Sequence, residues 1–388
     1  MNKDGSMTRH RWSFALLFAA VFALPGCGWF GGDDENLTDT DDIEFPEFDA
    51  SNSNEPSAPE KAVLQLNLRV GDRFPLIKTV RQELTQFTPS GKLNSFSELK
   101  MLLSINVDQV NNGRKLLRVV YQRVQYQHDV AGEVVKFDSD APQYPLPDGM
   151  KAFQGLVNNG FAFWVGSDNQ VKDVLGFQEF LDRCVQNVPS LNRKTVLSKL
   201  GATSSEDGIA NFVDDSIGLL PNVRDDGNGK TIPVKIGDTW QRNRQILRPL
   251  PMYVTTTCTL SEVTEGAAEV NITGKLTPAA SFGPSDQPNQ NLKLKIRGGQ
   301  VYGECIIDRT TGLPIRSQIE KHLDMNVQLN DGQQFEQRKR IVTLIESYPE
   351  TGRSSPSHAS SSASNTVPAG ASQPEFSAPP VRNAGFEK

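Results

Sequence analysis

The residues able to do chemistry in this 388-residue chain are few, and most stand at the wrong spacing for it. Ser97-Glu98-Leu99-Lys100 matches Ser-x-x-Lys, and Ser167-Asp168-Asn169 matches Ser-Asp-Asn, two motifs of penicillin-binding enzymes. That chemistry needs the Ser at a helix N-terminus with the Lys one turn on. Here Ser97 and Lys100 lead into an alternating strand pattern, which sends their side chains to opposite faces. The third motif, Lys-Thr-Gly, is missing. Gly229-Lys230-Thr231 has the form of a phosphate-loop end, but the first glycine of that motif would fall on Arg224, and Ile232-Pro233 follows in place of a helix. Asp226-Gly227-Asn228 lacks the rest of a calcium ligand ladder. His10 and His358 lie in the terminal segments, while His128 and His322 sit in strand-like stretches among polar positions and are expected to be exposed. No two histidines share helical spacing and no Gly-x-Ser-x-Gly elbow occurs. The expectation is a protein that is not an enzyme, with no catalytic residue, metal or cofactor.

Cysteine chemistry is more informative. Arg9 and Arg11 precede an apolar run, Trp12 to Leu24, broken only by Ser13 and ending in Leu24-Pro25-Gly26-Cys27. A basic start, a short apolar stretch and small residues before the cut describe a secretory signal. The run is too short to span a bilayer well. Its end resembles a bacterial lipobox, which implies diacylglycerol on the Cys27 thiol, cleavage before Cys27 and acylation of the new amine. Several acyl chains together anchor stably, at about 0.8 kcal/mol per buried methylene. A plain signal peptide with a chance cysteine is the alternative. By the sorting rule for such lipoproteins, Gly28 in place of Asp points to the outer membrane, with the folded body in the periplasm. Either Met1 or Met7 serves as the start.

Three cysteines remain for an oxidising compartment. Cys258 shares parity with Val254 and Leu260, and Cys305 with Val301 and Ile307, so both face the apolar side of their strands. A Cys258–Cys305 disulfide is the prediction, two buried thiols the alternative. Cys184 is expected as a buried helix thiol.

The elements that would position these residues emerge from charge and periodicity. The chain carries a formal net charge of −6, which gives no case for a nucleic-acid binder. Residues 27–60 hold eleven acids and no Lys or Arg, leaving the body from 61 to 348 slightly cationic. Such an acidic stretch with little to bury is expected to be a disordered tether, and the Ser/Pro/Ala-rich tail 349–388 is expected to be disordered too. Between them the division is a signal over 1–26, a first β-rich half over 61–172, a helical insert over 173–222 and a second β-rich half over 223–348.

Val70-Gly71-Asp72-Arg73-Phe74 recurs as Ile236-Gly237-Asp238-Thr239-Trp240, each a turn followed by an aromatic that pins it to the core. Leu99, Met101, Leu103, Ile105 and Val107 alternate with polar residues, and Leu313, Ile315, Ile319, Leu323, Met325, Val327 and Leu329 share one parity. Period-two patterning of this length predicts antiparallel strands with one buried face. Asp308-Arg309-Thr310-Thr311-Gly312 reads as a hairpin turn. Phe177 to Val188, Asn192 to Leu200 and Glu206 to Leu220 carry helical spacing. The fold class is α+β, mostly antiparallel sheet in two related halves, a curved sheet or half-barrel, with the helices between.

These features in this order (the two Gly-Asp-aromatic turns, Phe163-Trp164-Val165 with Asp168-Asn169-Gln170-Val171, Leu220-Pro221, and Asp308-x-x-Thr311-Gly312) resemble an uncharacterised family of secreted and lipid-anchored bacterial proteins over about 65–348. More loosely they are similar to the half-barrel lipoproteins and lipoprotein carriers of the bacterial envelope, in which a curved sheet and helices enclose an apolar groove. That likeness implies a groove lined here by Phe153, Phe161, Phe163, Trp164, Phe177 and Phe180; an ordinary core is the competing reading. The expected partners are the membrane through Cys27 and either a lipid-like ligand or another envelope protein, the second making the chain an adaptor or structural module.

Overall fold

The computed structural model describes residues 60–348, except 90, 131, 200–216, 222–232, 247–251, 279–291 and 330–331. The signal, Cys27, nearly all of the tether, the tail, most of the Glu206–Leu220 helix and the Asp225–Gly229 loop lie outside the described residues.

Alternating apolar residues over long stretches dictate long strands, because only a pleated backbone puts every second side chain on one face. β2 (Arg73–Thr88), β3 (Gly91–Asn111) and β4 (Arg114–Val130) form the first meander. Shorter strands follow it: β5 (Glu133–Asp138), β6 (Gly160–Val165) and β7 (Val171–Leu175). The second meander comprises β9 (Thr239–Ile246), β10 (Met252–Val263), β11 (Ala267–Pro278), β12 (Leu292–Asp308), β13 (Pro314–Leu329) and β14 (Gln334–Ser347). All belong to one antiparallel sheet of order β7-β6-β4-β3-β2-β14-β13-β12-β11-β10-β9, with β5 on the far half of β4. The two meanders are joined where β2 pairs with β14, from Leu76 opposite Ser347 to Phe87 opposite Glu336. The sheet is open: β7 and β9 end the order and do not pair with each other.

A short ribbon of β1 (Lys61–Ala62) and β8 (Val234–Lys235) stands apart from this sheet. Three helices complete the described elements: α1 (Asp148–Leu156), α2 (Phe177–Cys184) and α3 (Ser190–Lys199), along with a 3-10 turn at Ile217–Leu219. The sequence pattern missed α1, because Pro147-Asp148-Gly149 is turn chemistry; in the structure Pro147 instead precedes the first helical residue, where its missing N–H costs nothing.

The inner face of the sheet carries Leu99, Met101, Leu103, Ile105, Val270, Ile272, Cys305, Ile319, Leu323, Met325 and Ile341, all in one buried cluster with residues of α1 and α2. The outer face carries cross-strand ion pairs such as Arg81–Glu98, Arg118–Asp108 and Arg340–Glu320. Ile315 departs from its expected parity and is exposed, because the β12–β13 register shifts between Ile306 and Ile307.

The repeated Gly-Asp turn has the same geometry in both places. Gly71 and Gly237 have φ of 87° and 86°, a left-handed conformation that favours glycine. Gly71 donates to the Val107 carbonyl while Val107 donates back to that of Asp72; Gly237 and Leu260 repeat the arrangement with Asp238. Each aspartate side chain accepts the backbone N–H three residues earlier, of Arg69 and of Lys235.

Between β1 and β2 the chain runs as a strap with Leu64, Leu66 and Leu68 buried. Asn67 donates through its backbone to Thr311 and through its side chain to Thr310, in the β12–β13 hairpin. Asn169, in the β6–β7 turn, holds the strap and also donates to the Pro221 carbonyl. At the other end of the sheet Trp240 of β9 donates to the Leu219 carbonyl at 3.0 Å. Two residues of chain span at most about 7 Å, so both ends of the sheet reach the same short segment.

The predicted Cys258–Cys305 disulfide is not formed: both cysteines are free and buried. Both lie on the inner face, as their parity predicts, but they stand on β10 and β12 with β11 between them, since Cys258 is opposite Ile272 and Cys305 opposite Val270. Two strand spacings are about 9.5 Å, beyond the roughly 7 Å limit between Cα atoms of a disulfide.

Candidate functional site: a cavity beside the edge of β5

The site arises from a bulge in β4. Leu102 faces Arg123 and Leu103 faces Tyr121, which leaves Gln122 as the extra residue. A one-residue insertion flips which side chains face inward. Leu117, Val119 and Tyr121 are buried before it, and Val124 and Tyr126 after it. Below the bulge β4 pairs with β6, and beyond it with β5. The two partners diverge there: Asn158 donates to the Tyr121 carbonyl, while Ser139 caps Val124 through both its backbone and its hydroxyl. Helix α1 packs against β4, with the Phe153 ring 4.9 Å from Tyr126 and 6.3 Å from Phe137.

Beside the edge of β5 these elements leave a cavity of about 500 Å³. Its apolar lining includes Tyr126, Val135, Phe137, Leu146 and Met150; its polar lining includes Glu98, Lys100, Gln125, Gln127, Lys136 and Asp138. Arg123 binds Asp138 at 2.6 Å and Asp140 at 2.9 Å. The Arg123 hydrogen bond, helped by Gln125, holds the Asp138 carboxyl down to about 2. Burial pushes the Tyr126 hydroxyl up to about 12, and its oxygen lies 3.2 Å from Nδ1 of His128. Burial also lowers the His128 imidazole from its ordinary value.

None of the six aromatics expected around a groove lines this cavity; Phe153 packs behind it, against Tyr126 and Phe137. Phe161, Phe177 and Phe180 pack on one another at 5.1–5.6 Å, with Phe163 6.3 Å from Phe161 and Tyr121 stacked on Phe180 at 5.9 Å. They are buried and fill the space between α2 and β6. Trp164 points the other way and lies under the Arg114 guanidinium, 5.1 Å from ring to Cζ. His128 and His322 are half-buried; His322 contacts Glu320, which also binds Arg340.

Sequence reasoning missed the cavity because Val135, Phe137, Leu146 and Met150 are scattered over a strand, a loop and a helix. The available signal was the run of inner residues on β4, whose parity changes at Gln122. The inner face also holds polar residues that the alternation hides: Lys78, Gln82, Gln86, Ser97, Gln337 and Lys339 are buried on β2, β3 and β14. The carbonyl oxygen of the Gln337 side chain has no hydrogen-bond partner there.

The profile of a family of unknown function, DUF6263, matches residues 112–314, more than half of the chain. The chain belongs to that family. The matched stretch runs from the β3–β4 turn to the start of β13, so the family's segment supplies both flanks of the sheet, and β2, β3, β13 and β14 fill the middle from outside it. No curated protein matches. Among solved structures, one described as "Lipid-protein interactions in lipovitellin" is 11% identical with a TM-score of 0.37, covering 74% of this chain and 27% of that one. This chain thus spans about a quarter of that protein's length. OpdQ of Pseudomonas aeruginosa is 8% identical with a TM-score of 0.19, covering 72% of this chain and 100% of that one. A BenF-like porin from Pseudomonas fluorescens Pf-5 is 9% identical with a TM-score of 0.17, again covering 72% and 100%. At these scores nothing of a porin or a lipovitellin carries over to the family. The side chains also point against a membrane barrel, which turns an apolar band outward; this sheet turns its apolar face inward and its ion pairs outward.

Proposed function

We propose that this member of the family is a lipid-anchored, non-enzymatic binding module of the bacterial envelope, with a body that holds an amphiphilic ligand in the cavity beside β5. Acylated Cys27 would fix it to the membrane, by the sorting rule the outer one. The acidic tether 27–60 would hold the body off the lipid surface in the periplasm. In this reading β2–β7 and β9–β14 are two related halves of a curved sheet, a relation that the matching Gly71 and Gly237 turns support.

The observation that carries the reading is the cavity itself. Its volume lies within the 300–1,000 Å³ usual for small-ligand sites, and an apolar wall with a polar rim is the lining such sites have. Asp138 and Tyr126 are displaced away from neutrality, Asp138 down and Tyr126 up. A general acid or base is tuned toward the working pH instead, so this displacement favours binding over catalysis.

The test is native mass spectrometry of the chain from residue 27 onward, exported with Cys27→Ser so that no anchor forms, and purified without detergent. A discrete added mass that extracts into organic solvent supports the reading. A clean apo mass together with no uptake of added fatty acids or lipids would overturn it.

A further inference from the structure

We infer that the ligand of this cavity is a single-chain amphiphile with an anionic head, met by Lys100 and Lys136; the inference rests on the binding role proposed above. The strand register places the charges. Glu98, Gln127 and Lys136 lie in one row across β3, β4 and β5, and Lys100, Gln125 and Asp138 lie in the next. Acid and base therefore alternate around the two glutamines, with the two lysines on one diagonal and the two acids on the other.

The two acids are committed elsewhere. Glu98 binds Nε of Arg81 at 2.6 Å, and Asp138 binds Arg123 and accepts from Gln125. Among the described residues no hydrogen bond or ion pair engages Lys100 or Lys136, and both are exposed. They flank β4 from either side, about 9.5 Å apart across the strands and about 7 Å apart along them, or roughly 12 Å between Cα atoms. An anion seated over Gln125 and Gln127 lies within reach of both flexible ammonium groups. A cationic head would be repelled there, and a neutral one would leave both lysines unused.

The tail follows from the other wall. Val135 and Phe137, on the opposite face of β5 from Lys136, offer it with Leu146 and Met150 an apolar surface round the edge of that strand, within the same cavity. The volume, in the lower half of the small-ligand range, suits one chain or a small ring system better than a two-tailed lipid. A carboxylate and a phosphate monoester share the required chemistry.

The full chain carrying Cys27→Ser is titrated calorimetrically with decanoate, decyl phosphate and 1-decanol. At least one of the anions should bind about tenfold or more tighter than the alcohol, and whichever does so more strongly identifies the head. Lys100→Gln with Lys136→Gln should erase that margin and leave decanol unchanged, as should high salt. Val135→Trp, which fills the cavity from an edge strand, should abolish all binding while the melting curve stays native. Decanol binding as tightly as both anions would overturn the anionic head and leave the binding role standing. Binding that survives Val135→Trp would overturn the cavity as the site, and no binding by any probe would overturn the binding role itself.

Discussion

The side-chain oxygen of Asn169 accepts the backbone N–H of Leu66 at 3.3 Å, joining the β6–β7 turn to a segment 103 residues away. The same side chain donates to the carbonyls of Leu64 at 3.2 Å and Pro221 at 3.1 Å, and it is only 3% exposed. Its φ of 61° is left-handed, a conformation that asparagine tolerates better than most residues. Asn169→Gly keeps that backbone and removes all three bonds, leaving buried partners that cost about 1–3 kcal/mol each when unpaired. We expect a loss of about 2–4 kcal/mol in urea unfolding with an unchanged slope, and faster amide exchange at Leu66. Asn169→Asp should be worse, since it sets a carboxylate against two carbonyls. A loss under about 0.5 kcal/mol, the size of an ordinary surface change, would mean that the buried leucines alone hold the strap.

Burial governs the three thiols of the body. Desolvation pushes Cys184 and Cys305 up to about 12 and Cys258 up to about 11, so none is a thiolate near neutrality. In the native protein at pH 8, iodoacetamide should leave all three unmodified, and reductant should leave the melting temperature unchanged. After unfolding all three should alkylate, as counted by mass spectrometry. A 258–305 linked peptide in non-reducing maps of the exported protein would contradict the register between β10, β11 and β12.

The Arg123–Asp138 pair should leave a signature in acid. The folded-state value of Asp138, about 2, lies below the usual carboxylate value of about 3.9. Its contribution to stability is therefore whole above pH 4 and is lost as pH falls through 2. Side chains 41% and 29% exposed are screened by water, so that contribution is held to about 1 kcal/mol or less. Wild type and Asp138→Asn should differ by that amount at pH 7 and converge near pH 2. A gap that persists at pH 2 would assign the effect to packing.

Much of the fold was legible because its signals are local. The alternation from Leu99 to Val107 gives β3, and Gly71-Asp72 and Gly237-Asp238 give two turns that the structure makes alike. What was not legible depends on long-range pairing. Parity puts Cys258 and Cys305 on one face but says nothing of the strand between them. The contact of β2 with β14 closes the longest chain separation in the sheet, and no local pattern marks it. Five of the six aromatics have the density of a pocket and the packing of a core, since burial and ligand contact select the same side chains. The cavity instead depends on the Gln122 bulge, a single inserted residue whose effect is to part β5 from β6.

The anchor is the prediction on which the proposed location stands. Cys27 follows Leu24, Pro25 and Gly26 after a short apolar run, and every acid of the next stretch lies on the tether side of it. If the thiol is acylated, cells fed labelled palmitate should label this chain, and Cys27→Ser should abolish the label. The wild type should sediment with the outer membrane and resist extraction by salt, because acyl chains hold by burial of methylenes and not by charge. Cys27→Ser should leave the body at the membrane only to the extent that the slightly cationic 61–348 region binds anionic lipid, and salt should release that fraction. Gly28→Asp tests the sorting rule separately: it should move the anchored protein to the inner membrane without changing its palmitate label. A label that survives Cys27→Ser would place the acylation elsewhere and remove the basis for the tether.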